Sequence, residues 1–167
     1  MRWSRSKLAT WAKLSLSLSL PLPLAAALLA CTLGTGALAA DGQAVYQQVC
    51  VACHQAGAVG APGLAPSLVG AVAARAGQPA MRQYLALVLT HGLQGRIVSE
   101  GQTYNSVMPA QTQLSDEELA AALSHVVRDL AGQAAVPAFA AADLAQARAS
   151  TISPKALRAQ RDAALAP

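Results

Sequence analysis

Apolar positions along this chain recur at helical spacing, and no strand-rich alternation appears. Met81, Tyr84, Leu85, Val88 and Leu89 follow the three-and-four offset of one helix face. Pro79 supplies a first-position start and Gly92 a stop, which predicts a helix between them. Leu119, Ala122, Leu123, Val126, Val127 and Leu130 form a second stripe. Ser115 and Glu118 precede it as a capping box, Leu114 and Leu119 flank that box as a hydrophobic staple, and Gly132 closes the element. A shorter helix is predicted over 41–49, with Asp41 as its cap and Val45, Tyr46 and Val49 on its face.

Two stretches between these helices read as ordered loops. Residues 55–70 are rich in Gly and Pro but studded with Val59, Leu64, Leu68 and Val69. Residues 93–113 contain Gly95, Gly101, Tyr104, Asn105 and the pair Met108-Pro109. Past Gly132 the pattern weakens. Pro137 breaks the chain, 139–149 suits a short helix, and Ser153-Pro154 starts another over 155–166 with a faint apolar stripe. The fold expected is all-α, with a domain over 41–132 and an Ala-rich helical extension over 133–167.

The first forty residues read as an export leader. Arg2, Arg5, Lys7 and Lys13 form a basic start, residues 14–33 are apolar, and Ala37-Leu38-Ala39 is an A-x-A cleavage site. The apolar run is long, so an uncleaved membrane anchor is the alternative; Pro21 and Pro23 inside it favour cleavage. Leu28-Leu29-Ala30-Cys31 resembles a lipoprotein box, which leaves lipidation at Cys31 open. Removing the leader changes the charge. The whole chain is +4, but from Asp41 onward eight basic residues balance eight acidic ones. That neutrality argues against a nucleic-acid partner. The extension is net positive and the domain before it net negative, so the two could attract each other, or the extension could dock on an acidic partner.

The chemistry lies in Cys50-Val51-Ala52-Cys53-His54, a C-x-x-C-H string. Two thiols three positions apart share one helical turn and can add to the two vinyl groups of one porphyrin, while the next histidine faces the iron. Cys50 and Cys53 are thus candidate anchors of one covalent haem c, and His54 a candidate axial ligand. A thioredoxin-like redox pair would sit beside a βαβ pattern, which is missing here. A zinc site needs four ligands, and only His91, His125 and Cys31 remain to join the motif, in no zinc-like spacing. For the second axial position the candidates are Met81, Met108, His91 and His125. Met81 falls in a first helical turn, His91 just before a helix-ending Gly, and His125 on the polar side of its helix. Met108 stands on a loop stiffened by Pro109, so it is the expected thioether ligand, against the plain role of core filler.

On these residues the chain resembles class I monohaem cytochromes c of bacterial export compartments. The matching stretches are Val45 through His54, Pro66-Ser67-Leu68-Val69-Gly70, Gly101 through Pro109, and Leu114 through Leu119 leading to Val126-Val127-Arg128. The resemblance implies the cytochrome c fold, three main helices around one covalent haem, with ligation by His54 and Met108 and electron transfer as the activity. It also implies that the Pro66 carbonyl accepts the proton of the proximal imidazole. One departure is Val126, where relatives often carry an aromatic residue facing the first helix; contact with Tyr46 could compensate. The extension is similar to those on cytochromes paired with periplasmic dehydrogenases. The expected partners are redox proteins: a dehydrogenase, a quinol-oxidising complex or a terminal oxidase. A haem sensor, a subunit of a redox enzyme and a thiol–disulfide oxidoreductase are the alternatives.

Overall fold

A computed structural model describes residues 39–166. The expected leader, apart from residues 39 and 40, and Cys31 lie outside the described residues. No described helix is long and apolar enough to cross a membrane.

Helix α1 (Gly42–Val45) starts where the Asp41 carboxylate accepts the Ala44 N–H at 3.0 Å. It continues through a π-helical turn, Tyr46–Cys50, into α2 (Val51–His54). The motif is therefore the end of the first helical stretch, not a segment after it. A four-residue helix, α3 (Ala71–Ala74), follows the first loop. Helix α4 (Pro79–His91) begins with proline in its first turn and stops at Gly92. Helix α5 (Asp116–Ser124) carries the predicted capping box in full. Ser115 Oγ accepts the Glu118 N–H at 3.2 Å, and Glu118 accepts the Ser115 N–H at 2.8 Å. A second π-helical turn, His125–Leu130, extends it. Helices α6 (Ala141–Ala149) and α7 (Pro154–Leu165) make up the extension.

The fold is all-α with one addition. Strands β1 (Ile97–Ser99) and β2 (Gln102–Tyr104) form an antiparallel hairpin in the second loop, with Ile97 opposite Tyr104. Glu100 and Gly101 turn it, both at positive φ.

Helix α1 crosses α5. The crossing is close enough that a Cβ at Gly42 would run into the Ala121 carbonyl, so glycine is required there. Tyr46, Ala58 and Val126 form a small cluster beside it. Tyr46 thus packs against Val126, the contact expected to compensate for the lack of an aromatic side chain there. The larger core joins Met81 and Leu85 of α4, Leu119 and Leu123 of α5, Leu144 of α6 and Leu157 of α7. Helix α6 packs on both α4 and α5, and α7 lies along α4. The extension is thus a layer of the common core.

Its charges are used within the chain. Arg148 pairs with Asp116 at 2.9 Å and donates to the Leu114 carbonyl at 3.0 Å. Arg82 of α4 pairs with Asp143 at 3.2 Å and stacks 3.9 Å over the Phe139 ring. Pairs this exposed contribute about 1 kcal/mol or less each, so buried apolar area does most of the holding. Leu144 is 0% exposed. Leu144→Ala should therefore destabilise the holoprotein by about 2–5 kcal/mol in denaturant unfolding. Exposed Arg128→Ala should stay within about 0.5 kcal/mol. An extension acting only as a solvated arm would leave both variants unchanged.

Candidate haem site

A cavity of about 330 Å³ lies between these elements, inside the range of roughly 300–1,000 Å³ that ligand and cofactor sites occupy. Its walls are largely apolar, with Leu85, Val88, Leu123 and Val127 among them. Cys50, Cys53, His54, Pro66 and Met108 all line it.

The π-helical turn ends at Cys50, which caps α2. Cys50 and Cys53 are then three apart on one turn, and Cys50 and His54 four apart, so the three side chains share a face. Burial, and then the neighbouring Cys53, push the Cys50 thiol above its usual range. It stays a neutral thiol at neutral pH.

His54 is buried, and burial pulls its imidazole below the ordinary value, opposed by the Pro66 carbonyl. Nδ1 lies 3.0 Å from that carbonyl. A carbonyl only accepts, so Nδ1 carries the proton and donates, which leaves the Nε2 lone pair for a metal. The loop between them is built for this approach. Gln55 leaves α2 at φ 64°, ψ 167°, a conformation costly for a residue with a side chain. The Tyr46 hydroxyl donates to its carbonyl at 2.6 Å and holds it there. The Gly60 N–H then returns to the His54 carbonyl at 2.9 Å. At Gly60 φ is +77°, and a Cβ would strike the backbone of Ala65, Pro66 and Ser67. Glycine at that position brings Pro66 within reach of the imidazole.

The Met108 loop is pinned to the end of α4. Met108 N–H donates to the Leu93 carbonyl at 2.8 Å, and Leu93 N–H to the Met108 carbonyl at 2.9 Å. The Ser106 hydroxyl donates to the Leu64 carbonyl and ties this loop to the Pro66 loop. Gln111 Nε2 donates to the Pro109 carbonyl at 2.8 Å.

The other candidate ligands lie elsewhere. Met81 is fully buried in the α4–α7 core. The His91 ring is held between the Thr90 hydroxyl at 2.9 Å and the Ser150 carbonyl at 3.0 Å. The His125 ring meets Asp129 at 2.8 Å and the edge of Tyr46. None of the three lines the cavity.

Two lining residues escape a reading of the sequence, Tyr84 and Arg161. From sequence Tyr84 is only a core position. Arg161 is only part of the extension's positive charge, yet it is 3% exposed and reaches the cavity from α7. The available signal is its spacing with Leu157 and Ala164, which puts an arginine on that helix's apolar face.

Comparison with known proteins shows the family. Residues 37–126 match the family described as cytochrome C oxidase, cbb3-type, subunit III. One cytochrome c-552 of Thermus thermophilus is 41% identical over 133 residues, covering 77% of this chain and 89% of the Thermus protein. A second Thermus thermophilus cytochrome c-552 is 40% identical over 125 residues, covering 73% of this chain and 95% of its own length. The chain belongs to the class I c-type cytochromes.

Its cofactor is covalent haem c, and the cavity suits that group. It offers apolar walls to the ring, two thiols on one face, and an imidazole whose outer nitrogen is already committed to a carbonyl.

Burial pushes the Tyr84 phenol from 10.0 up to about 12; nearby Asp162 adds to the rise and Arg161 opposes it. A raised folded-state value means the buried phenol adds stability that is complete below pH 10 and lost as pH rises towards 12. The fall in unfolding free energy across that window should therefore be smaller in Tyr84→Phe than in the wild type. Equal slopes would show that Tyr84 ionises as freely as an exposed phenol.

Proposed function

We propose that this cytochrome is an exported electron carrier with one haem c, held by thioether bonds to Cys50 and Cys53 and ligated by His54 and Met108. The observation that carries the reading is the joint lining of one cavity by these four side chains, with the His54–Pro66 hydrogen bond presenting Nε2. The bound haem supplies a one-electron ferrous–ferric couple. The chain's own residues do the rest. Cys50 and Cys53 fix the ring covalently. Pro66 holds the His54 tautomer and raises its basicity. The thioether of Met108, kept in place by the Leu93 backbone pair, favours the reduced state. Apolar walls exclude water and raise the cost of the extra charge on ferric iron. With both axial positions filled, no substrate is converted.

Export follows from the leader over residues 1–40, with lipidation at Cys31 as the route to a membrane anchor. Redox partners are a dehydrogenase, a quinol-oxidising complex or a terminal oxidase. The name of the matching family, which is that of an oxidase subunit, favours the last. The chain would then act as a subunit of such an oxidase or as its donor, and stable co-purification with an oxidase distinguishes a subunit from a diffusing donor.

Ligation is testable in the purified holoprotein. A far-red thioether-to-ferric-iron charge-transfer band should be present, vanish in Met108→Ala, and persist in His91→Ala and His125→Ala. Met108→Ala should also lower the midpoint potential, because the ligand favouring ferrous iron is gone. A band that survives Met108→Ala overturns the assignment. Loss of covalent haem from the Cys50→Ala, Cys53→Ala double variant, read by mass, tests the anchors separately.

A further inference from the structure

The two loops that carry the axial groups are each secured within their own neighbourhood. Residues 55–70 bring the Pro66 carbonyl to His54, and residues 93–113 bring Met108 to the cavity. The first loop folds back through the Gly60 N–H to the His54 carbonyl and through the Ala65 N–H to the Ala61 carbonyl at 3.0 Å. The second is fastened to the end of α4 by the Leu93–Met108 pair. Between the loops runs the Ser106 hydroxyl, which donates to the Leu64 carbonyl across 42 residues of sequence. Among the described residues that carbonyl has no other hydrogen-bond partner. A neighbouring bond, from the Ala71 N–H at the start of α3 to the Glu100 carboxylate, is exposed and stretched to 3.4 Å, so it holds weakly.

The place of the Ser106 bond gives it leverage. Ser106 stands two residues before Met108, and Leu64 two before Pro66. Ser106, Leu64 and Val107 all line the cavity, yet the Leu64 and Val107 side chains are 46% and 68% exposed. These residues form an outer lip whose apolar area is too little buried for packing to hold it firmly. The Leu93 pair grips the Met108 segment on one side, and the Ser106 hydroxyl grips it on the other. We propose that Ser106 is a positioning residue for iron ligation: its hydroxyl clasps the two loops together and keeps the Met108 thioether in place against competing ligands. With the clasp closed, the thioether leaves only if the lip parts as well. Without it, the Met108 segment swings on the Leu93 pair. This inference rests on the Met108 reading above.

The test titrates ferric holoprotein with imidazole at neutral pH and follows loss of the far-red thioether band. Imidazole competes with the thioether for ferric iron, so its apparent affinity reads how firmly Met108 is held. Loss of one ordinary hydrogen bond should raise that affinity about 2- to 10-fold in Ser106→Ala. Ser106→Thr keeps a hydroxyl and should stay near the wild type. Leu144→Ala loosens the core away from both loops and should also stay near the wild type, although it unfolds in less denaturant. Wild-type affinity in Ser106→Ala overturns the proposal. An equal gain in Leu144→Ala overturns it by making the effect one of global stability, and an equal gain in Ser106→Thr overturns it by making the hydroxyl irrelevant. Failure of Ser106→Ala to give folded holoprotein makes the bond a folding requirement and also overturns it. Absence of the far-red band from the wild type refutes Met108 ligation itself, and the proposal falls with it. A wild-type band with unchanged affinity in Ser106→Ala refutes the clasp alone.

Discussion

One hydrogen bond, from His54 Nδ1 to the Pro66 carbonyl, organises the site. It selects the tautomer and so decides which nitrogen faces the cavity. It also sets demands on the chain around it. Residues 55–66 must turn back sharply enough to bring a carbonyl to the imidazole within 12 residues. Gln55 takes an unfavourable backbone conformation, Gly60 takes a positive φ, and the Tyr46 hydroxyl locks the turn. Tyr46 also fills the small cluster with Ala58 and Val126, whereas Gln55 and Gly60 do little for the core. Their conformational cost is met locally, where it orients one ring.

A second constraint is the shortage of large side chains. Aromatic residues are 4% of the sequence, and alanine supplies much of the apolar fraction. Small side chains let helices approach closely, as α1 does on α5, but they cover little area. The extension answers this by adding Phe139, Leu144 and Leu157 to the α4–α5 core. One pair follows the opposite net charges of the two segments, Arg148–Asp116, while Arg82–Asp143 joins a cation of the domain to an acid of the extension. Among the described residues, the other basic side chains of the extension that form hydrogen bonds reach carbonyl groups or the extension's own Asp162.

What the sequence discloses follows the strength of its local signals. The α5 start is legible because the Ser115–Glu118 box is satisfied within four residues. The α4 limits are legible because Pro79 and Gly92 act through their own backbones. The motif and the Met108 loop are legible because their chemistry depends on residue type. The hairpin is hidden. Its strands are three residues long, and Glu100-Gly101 makes the turn where asparagine or aspartate is the stronger signal. The π-helical turns are hidden because they leave the apolar stripe nearly intact while widening the backbone. Arg161 is hidden because a charge on a faint stripe reads as solvent-facing until the cavity beside it is seen.

The layout also implies an order of assembly. The contact from His54 to Pro66 spans 12 residues, whereas Arg161 to Val98 spans 63 and Arg75 to Ala166 spans 91. Closing longer loops costs more entropy, and such contacts are slower to form. The thiols and imidazole therefore gather in an early local nucleus, and the wall carrying Arg161 arrives late. Attachment at Cys50 and Cys53 would then find the pocket open on one side, with the last helix left to close it.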